Sequence, residues 1–369
     1  MINTPTPIAI IGLGMVADGH IAAYRALPDV NIVAVVDPRI ERTREVAAKL
    51  NVPGFTSCEE MLRQVRPAIG CILSTVASHH PITEQLAGAG AHVLCEKPMT
   101  NNLQDALAME QVCRRHGVQF MYGSSYRFLP TLVRAREIIA SGAIGKVLLI
   151  EERGVTGQGA DEFTPMSSAH YPNGTPGGGG FGIVDHGIHL LDIFPWLLGS
   201  PIQRVLGRGN HTGAEMRTEF AVLEHRCGAL GWLVYDEGTV SSDMPWEGLF
   251  AQGLTWQHGI GFGGDPGQWI DEAASIRVHG TQGALRIYYY PNRLFLCQPS
   301  GTREIQVPAA AAPVHFGRQL QAFIDSLRRS ERAPVDASIG IQALRALLAI
   351  YRSAESQHWE SVSAVEANS

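Results

Sequence analysis

No Cys-x-x-Cys pair occurs among the six cysteines of this chain (Cys58, Cys71, Cys95, Cys113, Cys227, Cys297), so neither a zinc knuckle nor a dithiol redox motif is available. Cys71 and Cys95 fall inside apolar runs, and the set reads as reduced core thiols of a cytoplasmic protein. No apolar run approaches the roughly 20 residues that span a bilayer. The one candidate export signal, Ile8 to Ala17, has no cationic segment ahead of it and contains two glycines. Positive charge is in deficit as well: 29 Lys and Arg against 35 Asp and Glu give a net charge of -6, which leaves no electrostatic footprint for DNA or RNA. No nucleic acid and no membrane are expected as partners, and a small molecule is.

What the chain does have is length and glycine. Its 369 residues exceed what one hydrophobic core normally fills, which argues for two domains with a cleft. Many of its 40 glycines lie in one stretch between Gly154 and Gly182.

From Ile8 to Gly123 short apolar runs alternate with helical segments, the pattern of a parallel sheet wound with helices on both faces. The runs begin at Ile8, Ile32, Gly70, His92 and Val118. Ser57 with Glu60 predicts a capping box, and Asn102 predicts the cap of a helix ending at Arg114-Arg115-His116.

Directly after the first run comes Gly12-Leu13-Gly14-Met15-Val16-Ala17, a G-x-G-x-x-A fingerprint. Gly12 permits the tight turn, Gly14 lets a pyrophosphate approach the backbone, and Ala17 allows close helix-to-sheet packing. Met15 and Val16 belong to the same phosphate-facing turn. The next run ends in Asp37, 23 positions after Gly14, where its carboxylate can accept the hydroxyls of an adenosine ribose. Asp37 also suits a turn ahead of Pro38. An acid here repels a 2′-phosphate and favours NAD; Arg39, two residues on, offsets that charge and keeps NADP open.

Gly177 to Gly180 lead into Phe181-Gly-Ile-Val-Asp185-His186-Gly-Ile-His189-Leu-Leu-Asp192. If this segment is helical, Asp185, His189 and Asp192 stand at i, i+4 and i+7 on one face, an acid/base array next to a loop without side chains. The other reading is an amphipathic core helix with satisfied histidines. A metal site is not expected, because His186 lies about 60° off that face and no further ligand pair supports it. Earlier in the chain, Cys95-Glu96-Lys97-Pro98 puts a lysine at the C-terminal edge of the sheet, where an ammonium can polarise a hydroxyl or carbonyl.

The fingerprint, Ala89-Gly90-Ala-His-Val, Glu96-Lys97-Pro98 and the G-G-G…D-x-G-x-H-x-x-D segment together resemble the glucose–fructose oxidoreductase/inositol dehydrogenase (Gfo/Idh/MocA) family of NAD(P)-dependent oxidoreductases, over nearly the whole chain. The resemblance implies an α/β protein: an N-terminal Rossmann domain, residues 1–123, and a C-terminal α/β domain with a large, mostly antiparallel open sheet, residues 124–369, with the last helices near the domain junction. It implies Lys97, Asp185 and His189 as the catalytic cluster. It adds Ser74, His79, Glu96, Lys97, Tyr126 and Arg127 to Gly12, Gly14, Met15, Val16, Asp37 and Arg39 as cofactor contacts. Ser74 and His79 are expected in the loop after a strand, ahead of a helix starting at Pro81.

Substrate contacts are expected from Lys97, Tyr126, Asp185 and His189. His170 and Tyr171 join them in the place where many relatives carry a Trp-Arg pair. Trp256-Gln-His258 with Gly259 to Gly264 reads as a second Gly-rich stretch, at the pocket or on the surface. Strands are expected over 146–152, 220–226, 229–235, 274–279 and 284–289, and helices over 316–327 and 339–351. An apolar face of the second sheet implies a homodimer or homotetramer.

The expected activity is hydride transfer between a nicotinamide and a secondary hydroxyl or carbonyl of a sugar, sugar derivative or inositol. His189 would take the hydroxyl proton and Lys97 would stabilise the oxyanion. Two other readings stay open: a family member that uses retained NAD to cleave glycosides, and a non-catalytic NAD(P)-binding regulator. Retention of both Lys97 and His189 speaks against the regulator.

Overall fold

The apolar runs of the first third become strands because each is short, made of residues that pack on a pleated surface, and bounded by turn residues. In the computed structural model, residues 4–155, 182–212, 215–236, 275–289, 292–310 and 313–362 are described. The stretches 177–180, 170–171 and 256–264 singled out above lie outside them.

The chain divides into two compact units, Met1–Ser125 with Pro313–Ile341, and Tyr126–Ala312 with Gln342–Ser369. In the first, β1 (Thr6–Ile11), α1 (Ala17–Arg25), β2 (Val30–Val36), α2 (Ile40–Leu50), β3 (Gly54–Phe55), α3 (Cys58–Gln64), β4 (Ile69–Ile72), α4 (Val76–Gly88), β5 (His92–Glu96), α5 (Leu103–Arg115) and β6 (Phe120–Gly123) follow in order. The six strands are parallel in the order β3-β2-β1-β4-β5-β6, so the winding reverses between β1 and β4. Ile8, Ile10, Ile69, Cys71, Val93 and Leu94 are fully buried between the helix layers. The late helix Val314–Arg328 belongs to this unit, where Phe316 stacks on His20 of α1 with ring centroids 3.7 Å apart.

Two local expectations change. Ser57 does cap α3, its Oγ accepting from the Glu60 amide at 3.2 Å, but the Glu60 carboxylate turns to the Thr56 amide and hydroxyl instead of returning to Ser57, so the box is half formed. The thiols divide: Cys58, Cys71, Cys95 and Cys113 are buried, while Cys227 is exposed and Cys297 half-buried. Burial pushes the Cys58, Cys71 and Cys113 thiols up to about 12.

The second unit begins at Tyr126, inside a short 3₁₀ turn, Ser125–Phe128, and continues into α6 (Pro130–Ala140), with Pro130 in its first turn. A nine-stranded sheet follows: β7 (Val147–Val155), β8 (Ile202–Thr212), β9 (Glu215–His225), β10 (Leu230–Asp236), β11 (Ser275–Gly280), β12 (Ala284–Tyr288), β13 (Arg293–Gln298), β14 (Gly301–Ile305) and β15 (Glu360–Ser361). Their order is β14-β13-β12-β11-β7-β10-β9-β8-β15, and only the β7/β10 pair is parallel. One face is packed, since Ile150, Ala221, Leu233, Ile276, Ile287 and Leu294 are fully buried. Between β7 and β8 lie a π-helical turn (Gly182–Gly187) and α7 (Ile188–Leu198). After α8 (Val314–Arg328), α9 (Ala337–Ser356) closes the helical complement. No helix among the described residues is long and apolar enough to cross a membrane.

Candidate active site

In the first unit the candidate residues gather at the carboxyl ends of parallel strands: Gly12 after β1, Asp37 after β2, Ser74 after β4 and Lys97 after β5. Gly12 has φ +98°, and a Cβ there would overlap the Ser74 amide, so the two turns touch with no side chain between them. A Cβ on Gly14 would meet nothing within 4 Å, and Met15 is 40% exposed, which leaves the turn backbone open to a ligand.

Asp37 is buried at 3% exposure and fully engaged. Its Oδ2 accepts from the Leu13 amide at 2.8 Å and from Arg39 Nη2 at 3.0 Å, and its Oδ1 accepts from Arg39 N at 2.9 Å and Nε at 2.8 Å. Burial resists ionisation, but the Arg39 guanidinium and these amides outweigh it and hold the carboxyl below its ordinary range. Arg39 and Arg42 also converge on the Leu13 carbonyl, at 3.1 Å each.

Lys97 is half-buried, and its backbone is held from two sides. Glu96 turns inward: its Oε2 accepts from the Lys97 amide at 3.0 Å and its Oε1 lies 3.1 Å from His20 Nε2, while His20 Nδ1 pairs with the Tyr24 hydroxyl at 2.8 Å. On the other side His79 Nδ1 lies 3.1 Å from both the Pro98 and Met99 carbonyls, and Nε2 lies 3.1 Å from the Ser74 carbonyl. His79 is therefore not in a loop ahead of a helix starting at Pro81. The helix α4 begins at Val76, His79 sits in its first turns, and Pro81 is inside it. Burial lowers the His79 pKa. Ser74 is half-buried, its hydroxyl accepting from the Ser78 hydroxyl at 2.7 Å.

In the second unit the segment after the glycines is helical, but not as one α-helix. Asp185 and His186 lie in the π turn and His189 and Asp192 in α7, so the expected α-helical face of Asp185, His189 and Asp192 is interrupted between its first and second members. From Gly182 to Phe194 every residue is buried except half-buried Asp185. The His189 ring stacks on Tyr126, with centroids 3.9 Å apart and planes 2° from parallel. Asp192 is taken up by Arg127: Nε donates to Oδ2 at 2.9 Å, and Nη2 donates to Oδ1.

Two buried carboxylates that sequence reasoning missed hold the π turn. Glu219 of β9 accepts from the Ile183 amide at 2.6 Å and from the Tyr351 hydroxyl at 2.7 Å; burial raises its pKa. Glu152 of β7 accepts from Tyr235 at 2.8 Å and Tyr289 at 2.5 Å and lies 3.2 Å from His186 Nε2. Strand alternation carried the signal for Glu152, which shares the parity of buried Ile150. Glu219 fell just before the strand expected at residue 220. His170 and Tyr171 lie outside the described residues.

Two family models match the chain, one after the other. The NAD-binding Rossmann fold of the Gfo/Idh/MocA oxidoreductase family matches residues 6–124, and its C-terminal alpha/beta domain matches residues 136–362. The chain belongs to this family. Among relatives of this Gfo/Idh/MocA protein, the D-glucoside 3-dehydrogenase of Escherichia coli K12 is 24% identical over 366 residues, covering 96% of this chain and 97% of its own. The myo-inositol 2-dehydrogenase of Thermotoga maritima is 27% identical over 61% of this chain and 66% of its own. A crystal structure of an Agrobacterium radiobacter oxidoreductase, in complex with NAD+, L-tartaric acid and magnesium, superposes with a TM-score of 0.76 at 21% identity, covering 97% of this chain and 99% of that one. The Gfo/Idh/MocA chain is thus an oxidoreductase of the dehydrogenase type acting on CH–OH groups, with an NAD(P)-binding Rossmann unit.

Proposed function

We propose that this protein oxidises, or in reverse forms, a secondary hydroxyl of a sugar, sugar derivative or inositol, with NAD as its preferred cofactor. The observation that supports NAD is the Asp37 carboxylate at the end of β2, bonded to the Leu13 amide of the fingerprint turn. The chain's residues fit the cofactor: Gly14 leaves open space over the turn, and Asp37 supplies an acceptor once Arg39, whose side chain is 61% exposed, lifts away. Gly12, Gly14, Met15, Val16, Ser74 and Asp37 would hold it, with His79, Glu96, Tyr126 and Arg127 as further contacts or supports. When bound, the nicotinamide supplies the hydride acceptor.

His189 takes the proton of the substrate hydroxyl as the carbonyl forms, and the Lys97 ammonium stabilises the charge developing on oxygen. Asp185, the one half-buried side chain of its segment, orients the imidazole or binds the neighbouring hydroxyl. His170 and Tyr171 are proposed to bind substrate. The names of the relatives, a glucoside and an inositol dehydrogenase, support a polyhydroxylated substrate.

NADP is the second reading, favoured by the convergence of Arg39 and Arg42 on the Leu13 carbonyl, two guanidiniums able to receive a 2′-phosphate. A homodimer or homotetramer through the outer face of the nine-stranded sheet accompanies the proposal, on the strength of Leu230, 45% exposed on β10. Incubation of the purified protein with NAD or NADP and a panel of polyols, aldoses and glycosides tests it. Net nicotinamide reduction is expected. Sugar release without net reduction would replace the dehydrogenase with a glycosidase, and no turnover with retained NAD binding would replace it with a regulator.

A further inference from the structure

Across the packed face of the nine-stranded sheet, one row of residues runs Gly207, Ala221, Leu233, Glu152, Ile276, Ile287 and Leu294, each the register partner of the next. Glu152 is the one ionisable member of this row, and it is 1% exposed. A carboxylate in such a row costs several kcal/mol of desolvation, of order, unless its oxygens are filled. They are filled, by the Tyr235 hydroxyl at 2.8 Å, the Tyr289 hydroxyl at 2.5 Å and His186 Nε2 at 3.2 Å. His186 Nε2 also lies 3.1 Å from the Tyr289 hydroxyl. With Tyr289 donating its one proton to Glu152, its oxygen accepts, and His186 must carry hydrogen on Nε2. Glu152 and Tyr289 together hold the Nε2 edge of the His186 ring.

That set of rings leads to His189. Tyr126 meets the edge of His186 at a centroid distance of 6.1 Å and Tyr289 at 5.4 Å, and its own plane carries His189 at 3.9 Å. His186 and His189 meet edge-on at 6.1 Å. We propose that Glu152, through His186 and Tyr289, is the positioning residue of the His189 imidazole: it fixes the floor on which the Tyr126–His189 stack stands and holds the π turn that presents Asp185. A π turn is a rare, widened helix that persists only where surrounding contacts determine it. Here a carboxylate grips it at each end, Glu219 at the Ile183 amide and Glu152 at His186.

The proposal rests on the reading of His189 as proton acceptor, so its test uses two separable readouts in Glu152→Gln, His186→Gln and Tyr289→Phe. The first is the pH titration of the His189 ring in histidine-labelled protein, followed by NMR and assigned by its loss in His189→Ala. Among the described residues, the ionisable groups packed around the stack are His186 from the π turn, Glu152 from β7, Tyr235 from β10 and Tyr289 after β12, with Asp185 in the same π turn and Asp192 on α7 engaged by Arg127. Glu152→Gln removes a negative charge that favours imidazolium, so the His189 midpoint falls, by about half a unit or more. The second readout is the pH profile of kcat with a polyol that the wild type oxidises. It follows the same shift, and kcat falls about ten- to a hundredfold while KM for NAD is unchanged.

Tyr289→Phe loses one hydroxyl at constant shape and decides the matter if Glu152→Gln does not fold. A folded variant whose His189 titration and kcat profile match the wild type overturns the proposal. Full activity in His189→Ala overturns the proton-acceptor reading instead, and the ring titration then still reports whether Glu152 positions His189.

Discussion

Arg127 closes a two-pronged ion pair onto Asp192, with both carboxylate oxygens engaged and the acid 3% exposed. The carboxylate that completes the D-x-x-x-H-x-x-D pattern is therefore bound to the segment preceding α6 rather than left to bind substrate. The Arg127 guanidinium also lies 5.6 Å from the Trp196 ring centre. Arg127→Ala strands a buried charge and should cost about 3–5 kcal/mol of stability. Chemical denaturation measures it, and Arg127→Lys should recover only part, since an ammonium cannot span both oxygens.

His189→Ala should lower kcat by about 10²- to 10⁴-fold and leave the dissociation constant for NAD nearly as it was. Steady-state kinetics paired with a cofactor titration separates the two. Joint collapse of turnover and NAD affinity would make His189 a structural residue.

The Asp37–Arg39 pair should set cofactor preference. Asp37→Ala loses an ionised acceptor and should weaken NAD by about ten- to a hundredfold. Arg39→Ala should weaken NADP by a similar factor and leave NAD near its wild-type affinity. Calorimetric titration of both cofactors into both variants checks the pattern, and equal losses for the two cofactors would contradict it.

Burial raises the Glu219 pKa, so the folded protein holds that proton more tightly than the unfolded chain. Stability therefore declines as pH rises from the ordinary carboxylate range through the raised folded value, and the whole cost is present above it. Glu219→Gln keeps an acceptor for the Ile183 amide without a charge. Its unfolding midpoint should lose this slope and sit above that of the wild type at neutral pH, whereas Glu219→Ala should fall below, by about 1–3 kcal/mol for each partner left unsatisfied.

His315 works in the opposite sense. Burial, with the neighbouring His20, pushes its pKa down to about 3, so the unfolded chain binds the proton first. Its contribution is intact above the ordinary imidazole value and is lost as pH falls from there towards about 3. The acid limb of a stability curve should be shallower in His315→Gln, by up to about 1.4 kcal/mol per pH unit.

The first sheet was largely legible because its strands are buried on both faces and read as unbroken apolar runs; only the two-residue β3 at Gly54–Phe55 carried too little signal. In the second unit β7, β9, β10, β11 and β12 were visible through their alternation. Strand β8 was not, because Arg204, Gly207, Arg208 and Gly209 break the apolar pattern, and β14 was not, because four of its five residues are exposed. At the site, residue types could be named in advance, but not which acid meets which base. Asp192 and His189 are three apart on one helix, yet one is claimed by Arg127 and the other by Tyr126, both supplied from some sixty residues earlier. Glu152 closed the strand expected over 146–152 and Glu219 preceded the one expected at 220, whereas both lie inside longer strands, β7 and β9, where their partners are the turn and tyrosines of other elements.

The helix Val314–Arg328 has a practical meaning for anyone who wants the six-stranded unit by itself. Its Phe316 ring covers His20, the partner of Glu96, and its Gln319 donates to the Tyr122 carbonyl at 3.2 Å. Severing the gene after residue 123 would keep every strand and discard that cover, leaving an apolar scar over α1 and a product prone to aggregate. An autonomous version must be spliced from two distant pieces of chain, 4–125 and 313–341, joined by a linker.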